Sequence, residues 1–269
     1  MKPEIHVLGL SLKTFGICFA AAFLAAGAVL ARRLDELGHP RDWAYEMIFA
    51  GLAGGVVGAR GYYIAEHFDE VSHDLLGSIF SGLGLVWYGG AVGGAIGVLA
   101  WARWRGALSL GLLDLASAPL TLGYAIGRIG CQVSGDGDYG IGSGLPWAMP
   151  YPHGTVPTTL HVHPTPIYET LAMGLLAWVL WHLRERLRPG AIFTLYLVGS
   201  GVERLLVEFI RRNSEVVAGL TAPQLESIVA AALGATALVV WRRGGGLRGA
   251  GRDGDRRLGS PASNAAGVR

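Results

Sequence analysis

The chain reads as an all-α integral membrane protein with about seven transmembrane helices and a long, ordered periplasmic loop between helices four and five. Three observations predict this class. Of 269 residues, 51% are hydrophobic and 16% charged, against about 25% charged in an average soluble domain, and mean hydropathy is +0.41. Seven apolar runs approach the roughly 20 residues that a helix needs to cross a bilayer core. Lys and Arg gather in alternate connections between those runs, as the positive-inside bias requires.

The runs are 14–31, 47–64, 83–102, 108–126, 167–183, 191–210 and 223–241. The first is long enough to span, and no small-residue cleavage site follows it. The second and third carry Gly51, Gly54, Gly55 and Gly58, and Gly89, Gly90, Gly93, Gly94 and Gly97, a spacing that lets helix backbones approach closely. Thr221 and Pro223 predict the start of the seventh. Arg32, Arg33 and Arg41 follow the first run, Arg103 and Arg105 the third, and Arg184, Arg186 and Arg188 the fifth. Arg242, Arg243, Arg248, Arg252, Arg256 and Arg257 follow the seventh. Glu66, Asp69, Glu70 and Asp74 follow the second with no Lys or Arg among them. This pattern puts the amino terminus outside and the carboxyl terminus in the cytoplasm, in an odd number of crossings.

Two segments fall outside the spans. Residues 128–164 are rich in Gly and Pro, and Trp147, Met149 and Tyr151 within them argue for order. Residues 244–269 read as a disordered basic cytoplasmic tail whose arginines suit anionic headgroups, leaving 1–243 as one transmembrane domain. Cys18 lies in an apolar run, which disfavours a disulfide with Cys131.

Ionisable residues inside the spans cost several kcal/mol unless paired or hydrated, and so mark candidate sites. Arg60 stands near the outer end of the second run, where its stem either snorkels to the interface or reaches a ligand. Asp114, in the fourth run, suits a structural pairing with an arginine. Arg204, Glu208 and Arg211, at spacings of four and three, share one helical face. They make either an ion-pair ladder or an arginine held by a carboxylate beside a polar cavity. A guanidinium suits phosphate because its planar donors bind two oxygens at once. Arg128 sits between Gly127 and Gly130, which permit a tight backbone turn and close ligand approach. Asp136 and Asp138 alternate with glycine but lack the glutamate that completes a calcium loop. His161 and His163 alternate without a third metal ligand at recognisable spacing.

Taken in order, these motifs resemble those of the bacterial prolipoprotein diacylglyceryl transferases. Gly127-Arg128-Ile129-Gly130-Cys131, running on to Tyr139-Gly140, is similar to the family signature. His163-Pro164-Thr165-Pro166-Ile167-Tyr168-Glu169 resembles its segment before helix five, and Arg204 to Arg211 its sixth-helix motif. Asp114 with Ala118-Pro119, and Gln224 with Ser227, match the flanking helices. The resemblance runs from about Thr14 to Trp241.

It implies transfer of a diacylglyceryl group from phosphatidylglycerol to the lipobox cysteine thiol of a prolipoprotein signal peptide, with release of glycerol phosphate. It also implies a bacterial inner-membrane location among membrane lipids, no metal or soluble cofactor and no nucleic-acid partner. Arg128 and Arg204 are then the headgroup clamp, Glu208 orients Arg204, and His163, Tyr168 and Glu169 shape the outer mouth, with Arg60 a further contact. Tyr88-Gly89-Gly90 stands where the family has His-Gly-Gly, and Phe15-Gly16 where it has Tyr-Gly. Histidine is a base near neutral pH, whereas tyrosine titrates near 10. Tyr88, Asp136 and Asp138 are therefore the candidate acid–base groups. The alternatives are a divergent member with another thiol acceptor or lipid, and a non-catalytic phospholipid-binding protein.

Overall fold

The computed structural model describes residues 1–7, 10–68, 87–244 and 246–247, with the side chains of Val7, Leu10, Trp87 and Tyr88 undescribed. The acidic residues Asp69, Glu70 and Asp74, and the tail arginines from Arg248 onward, lie outside the described residues.

Seven helices carry the described fold: α1 (Thr14–Glu36), α2 (Asp42–Glu66), α3 (Trp87–Arg105), α4 (Leu110–Ser134), α5 (Thr165–Leu183), α6 (Ala191–Glu208) and α7 (Ala222–Arg243). Described strands pair only as two-stranded antiparallel hairpins: β1 (Glu4–Val7) with β2 (Leu10–Lys13), β3 (Met149–Tyr151) with β4 (Thr158–Val162), and β5 (Glu215–Val217) with β6 (Leu220–Thr221). The four helices α1, α2, α4 and α7 are long and apolar enough to cross a membrane. Of the other three, α3 carries five glycines, α5 carries Pro166, Glu169 and His182, and α6 carries Glu203, Arg204 and Glu208.

The described chain divides into two compact units, one holding Met1–Leu30 and the chain from Leu113, the other 31–112. In the second unit α2 and α3 meet backbone to backbone. A Cβ placed on Gly93 would stand 2.3 Å from the Gly54 carbonyl oxygen and 2.7 Å from Gly58 Cα; one on Gly58 would stand 2.2 Å from the Gly89 oxygen. Only glycine tolerates that approach. At one end of the pair Glu46 accepts from Trp101 Nε1 at 2.7 Å and from Arg105 Nε at 2.8 Å.

The first unit is built on α4. This helix contains Pro119, which supplies no N–H. Near that interruption Ser117 Oγ donates to the Leu113 carbonyl and Thr121 Oγ1 to the Ser117 carbonyl, both at 2.7 Å. Asp114 caps another helix. Its two oxygens accept from Gly190 N at 2.6 Å and Phe193 N at 2.8 Å, at the start of α6, where backbone N–H groups have no partner within the helix. Gly190, at φ 90°, makes the turn into α6. Thr221 and Gln224 form a capping box that starts α7.

The fourth helix differs from expectation. It runs through Gly127 and Gly130 to Ser134 instead of ending near residue 126, so Arg128 and Cys131 are helical rather than in a tight turn. The reason is packing: a Cβ on Gly130 would stand 2.9 Å from Cys18 Cβ on α1, so this glycine serves helix contact. The connection to α5 starts at Gly135 and has its own order. Tyr151 is fully buried, stacks on Tyr139 at 4.7 Å between centroids and donates to Gln132 Oε1 at 2.9 Å. Lys2 N donates to the Val133 carbonyl at 3.0 Å, tying the start of the chain to the end of α4.

Gly93→Leu should cost about 1–3 kcal/mol by overpacking α2 against α3, read as a lower thermal midpoint in detergent. Gly61→Ala, on the partner helix α2 and with open space around it, should leave the midpoint within error. Thr221→Ala should cost roughly 1 kcal/mol by loss of the α7 cap, measured in the same way.

Candidate active site

The site lies in the first unit, where α4, α5 and α6 bring charged side chains together. Glu169, on the first turns of α5, has no exposed surface. A buried carboxylate is costly unless its oxygens are paired and hydrogen-bonded. Here three guanidinium groups and a phenol meet it. Arg128 Nε lies 3.0 Å from Oε2, while Arg204 Nη1 at 3.1 Å and Arg211 Nη1 at 3.2 Å reach Oε1. Tyr124 Oη donates to Oε1 at 3.2 Å.

Each arginine has a second anchor. Arg128 pairs with Asp138, donates through Nη2 to Tyr124 Oη at 2.9 Å, and stands 4.8 Å from that ring's centroid. Tyr124 and Arg128 are four residues apart and so share a face of α4. Arg204 Nη2 lies 3.0 Å from Glu208 Oε2, one turn along α6. Glu208 Oε1 accepts from Asn213 Nδ2 and Thr221 Oγ1, both at 2.7 Å, which fixes the carboxylate and through it Arg204. Arg211 pairs with Asp138 as well. Because α6 ends at Glu208, the chain turns before Arg211, and this arginine joins Glu169 and Asp138 instead of extending the ladder on the helix.

Asp138 completes the array from the loop after α4. Thr165 Oγ1 donates to its carbonyl at 2.5 Å, and its own N–H donates to Asp136 Oδ1 at 3.2 Å. Burial raises the Asp138 carboxyl, but the charges of Arg128 and Arg211 outweigh it and hold the group below the ordinary aspartate value of 3.8. The ion pair is therefore present at neutral pH and is lost as pH falls through that depressed value. Cys131 Sγ, Asp136 and Asp138 offer ligand atoms within 4.8 Å of one another. A metal ion there would face the two guanidinium groups that Asp138 already serves. Arg128 Nη1 is 3.7 Å from Cys131 Sγ, and Cys18 and Cys131 are both free thiols.

His163 Nδ1 is 3.3 Å from Tyr168 Oη, which accepts from Trp147 Nε1 at 2.7 Å. Asp136 lines a cleft of about 690 Å³ with Pro3, Lys13, Phe15, Ser134 and Thr155. Arg60 belongs to the second unit, where it is buried with its guanidinium 5.2 Å from the Tyr63 centroid. Gly89 and Gly90 face α2: a Cβ on Gly89 would stand 2.3 Å from the Gly58 oxygen, while one on Gly90 would make ordinary contact at 3.5 Å. The Tyr88 side chain is outside the described residues. Sequence reasoning did not single out Tyr124, although its position four residues before Arg128 on one helix was the available signal.

The family model for prolipoprotein diacylglyceryl transferase matches residues 3–241. A phosphatidylglycerol–prolipoprotein diacylglyceryl transferase of Clostridium tetani is 33% identical over 216 residues, covering 78% of this chain and 86% of the relative. Proteins of the same name from Methylococcus capsulatus and Leptospira interrogans are 33% identical over 214 residues and 29% over 242. They align with 77% and 80% of this chain, and with 78% and 76% of their own lengths. With a match that reaches into all seven described helices, this protein belongs to the prolipoprotein diacylglyceryl transferase family.

Proposed function

We propose that this protein transfers a diacylglyceryl group from phosphatidylglycerol to a cysteine thiol of a prolipoprotein. The observation that carries the reading is the convergence of Arg128, Arg204 and Arg211 on one buried carboxylate. In the reaction the thiol sulfur bonds to the glyceryl carbon, the carbon–oxygen bond to phosphate breaks, and glycerol phosphate leaves with the electron pair. The thiol proton passes to a base. Negative charge grows on the phosphate as that bond breaks, and preorganised guanidinium groups stabilise it without reorganising. A thiol with pKa near 8.5 is only a few per cent thiolate at neutral pH, and nearby positive charge raises that fraction.

Arg128 and Arg204 are the headgroup clamp, and Glu208 orients Arg204. Glu169 holds the two clamp arginines at a shared anchor. Tyr88 and Asp136 are the candidates to take the thiol proton. Arg60, Gly89, Gly90, His163 and Tyr168 contribute to binding the lipid or the acceptor peptide around its lipobox cysteine. All seven helices cross a bacterial inner membrane, with the amino terminus and the connection between α4 and α5 on the periplasmic side. Residues 244–269 form the cytoplasmic tail. The arginines after the first, third, fifth and seventh runs, against an acidic connection without Lys or Arg after the second, support this orientation.

The test is transfer from labelled phosphatidylglycerol to a lipobox peptide by the purified protein. Arg128→Ala and Arg204→Ala should each lose about 100-fold or more in rate, the scale seen on removing a transition-state donor. Unchanged transfer in both variants would refute the clamp. Arg128→Lys keeps the charge but not the planar fork, and should recover less than about a tenth of the wild-type rate in the same assay.

A further inference from the structure

The charges of the site balance. Three guanidinium groups, Arg128, Arg204 and Arg211, face three carboxylates, Asp138, Glu169 and Glu208. Glu203 adds a further carboxyl group within electrostatic reach of the same three arginines. A phosphodiester carries one negative charge, and arginines already matched by as many ion-paired carboxylates offer it little net attraction. While Asp138 accepts from Arg128 Nη1 and Arg211 Nη2, those donors cannot also serve a phosphate. An anionic headgroup therefore gains both donors and net attraction if one of the three carboxylates gives up its place.

The three differ in their freedom to do so. Glu169 and Glu208 have fully buried side chains on helices, and polar groups besides arginine fix them: Tyr124 for the first, Asn213 and Thr221 for the second. The Asp138 side chain is 34% exposed and stands on a loop. Its carboxylate bridges Arg128 through Oδ2 and Arg211 through Oδ1, one oxygen to each. Two non-bridging phosphate oxygens would engage two guanidinium groups in the same way. The backbone of this residue is held by Thr165 and Asp136, so release needs only rotation of the side chain.

We propose that Asp138 is an exchangeable internal anion, occupying between Arg128 and Arg211 the place that the lipid phosphate takes, and swinging out when the lipid binds. The inference rests on the phospholipid-using reading above and assigns Arg211, with Arg128, to the phosphate. It makes Asp138 a residue that keeps the two arginines paired and aimed while the site is empty, and that competes with substrate for them.

Equilibrium binding to the full chain in detergent tests this. The probes are dioctanoyl phosphatidylglycerol, inorganic phosphate and dioctanoylglycerol, which lacks the phosphate. Asp138→Asn keeps the shape and removes the charge, and should bind the phospholipid about tenfold more tightly, as removal of a competing charge-assisted pair requires. Affinity for dioctanoylglycerol should not change. Weaker or equal phospholipid binding by the variant overturns the proposal. A gain confined to inorganic phosphate overturns the lipid assignment in favour of a soluble anion. Failure of the wild type and the variant alike to bind phosphatidylglycerol overturns the functional reading itself. A second measurement needs no variant. In the wild type, phosphatidylglycerol should increase labelling of Asp138 by a water-soluble carbodiimide, read by peptide mass spectrometry. Unchanged labelling with lipid bound overturns the exchange.

Discussion

Glu169 places a negative charge in a site with no exposed surface, and the first compact unit is arranged around satisfying it. Three arginines come to it from three places: the far part of α4, the last turns of α6 and the turn beyond α6. Removing one partner from a buried ion array leaves the others uncompensated. The relative placement of α4, α5 and α6 is thus tied to charge pairing as well as to apolar contact. Asp114 adds a second link of this kind, since an acid on α4 caps the amino end of α6.

The array constrains function in two ways. It prevents the arginines from relaxing when no substrate is present, so their donors remain convergent at little reorganisation cost. It also sets an electrostatic price on binding an anion, because each guanidinium group already has a carboxylate. Helix-borne Glu169 and Glu208 act as a fixed frame. The loop-borne Asp138 is the part that differs in exposure and anchorage, and the chemistry of an anionic lipid makes that difference useful.

The second unit is held by a different force. The α2–α3 pair has glycine against glycine, and carbonyl oxygens lie where any Cβ would collide. In a lipid surrounding, apolar side chains gain little by leaving the tails, so close packing of small residues carries the association. Much of this is legible in the sequence, because the Gly51–Gly58 and Gly89–Gly97 spacings are local and repeat along a helix. Arg204 and Glu208 were legible for the same reason, at a spacing of four. Tyr124 was missed because a tyrosine in an apolar run is an ordinary packing residue until its hydroxyl is seen between Arg128 and Glu169.

The sequence by itself determined the class of molecule, the approximate limits of seven helices and the family to which the motifs belong. Each depends on composition, or on periodicity within one helix or one loop. Tertiary structure decided the continuation of α4 through Gly127 and Gly130, since contact with Cys18 settles how a permissive residue is used. It decided the departure of Arg211 from the helix-six ladder, since that required knowing where α6 stops. It placed Glu169 at the centre of the arginines, where the sequence reading had put it at the outer mouth. That position depends on side chains up to 42 residues away in the chain meeting one carboxylate, and no local pattern encodes such a meeting.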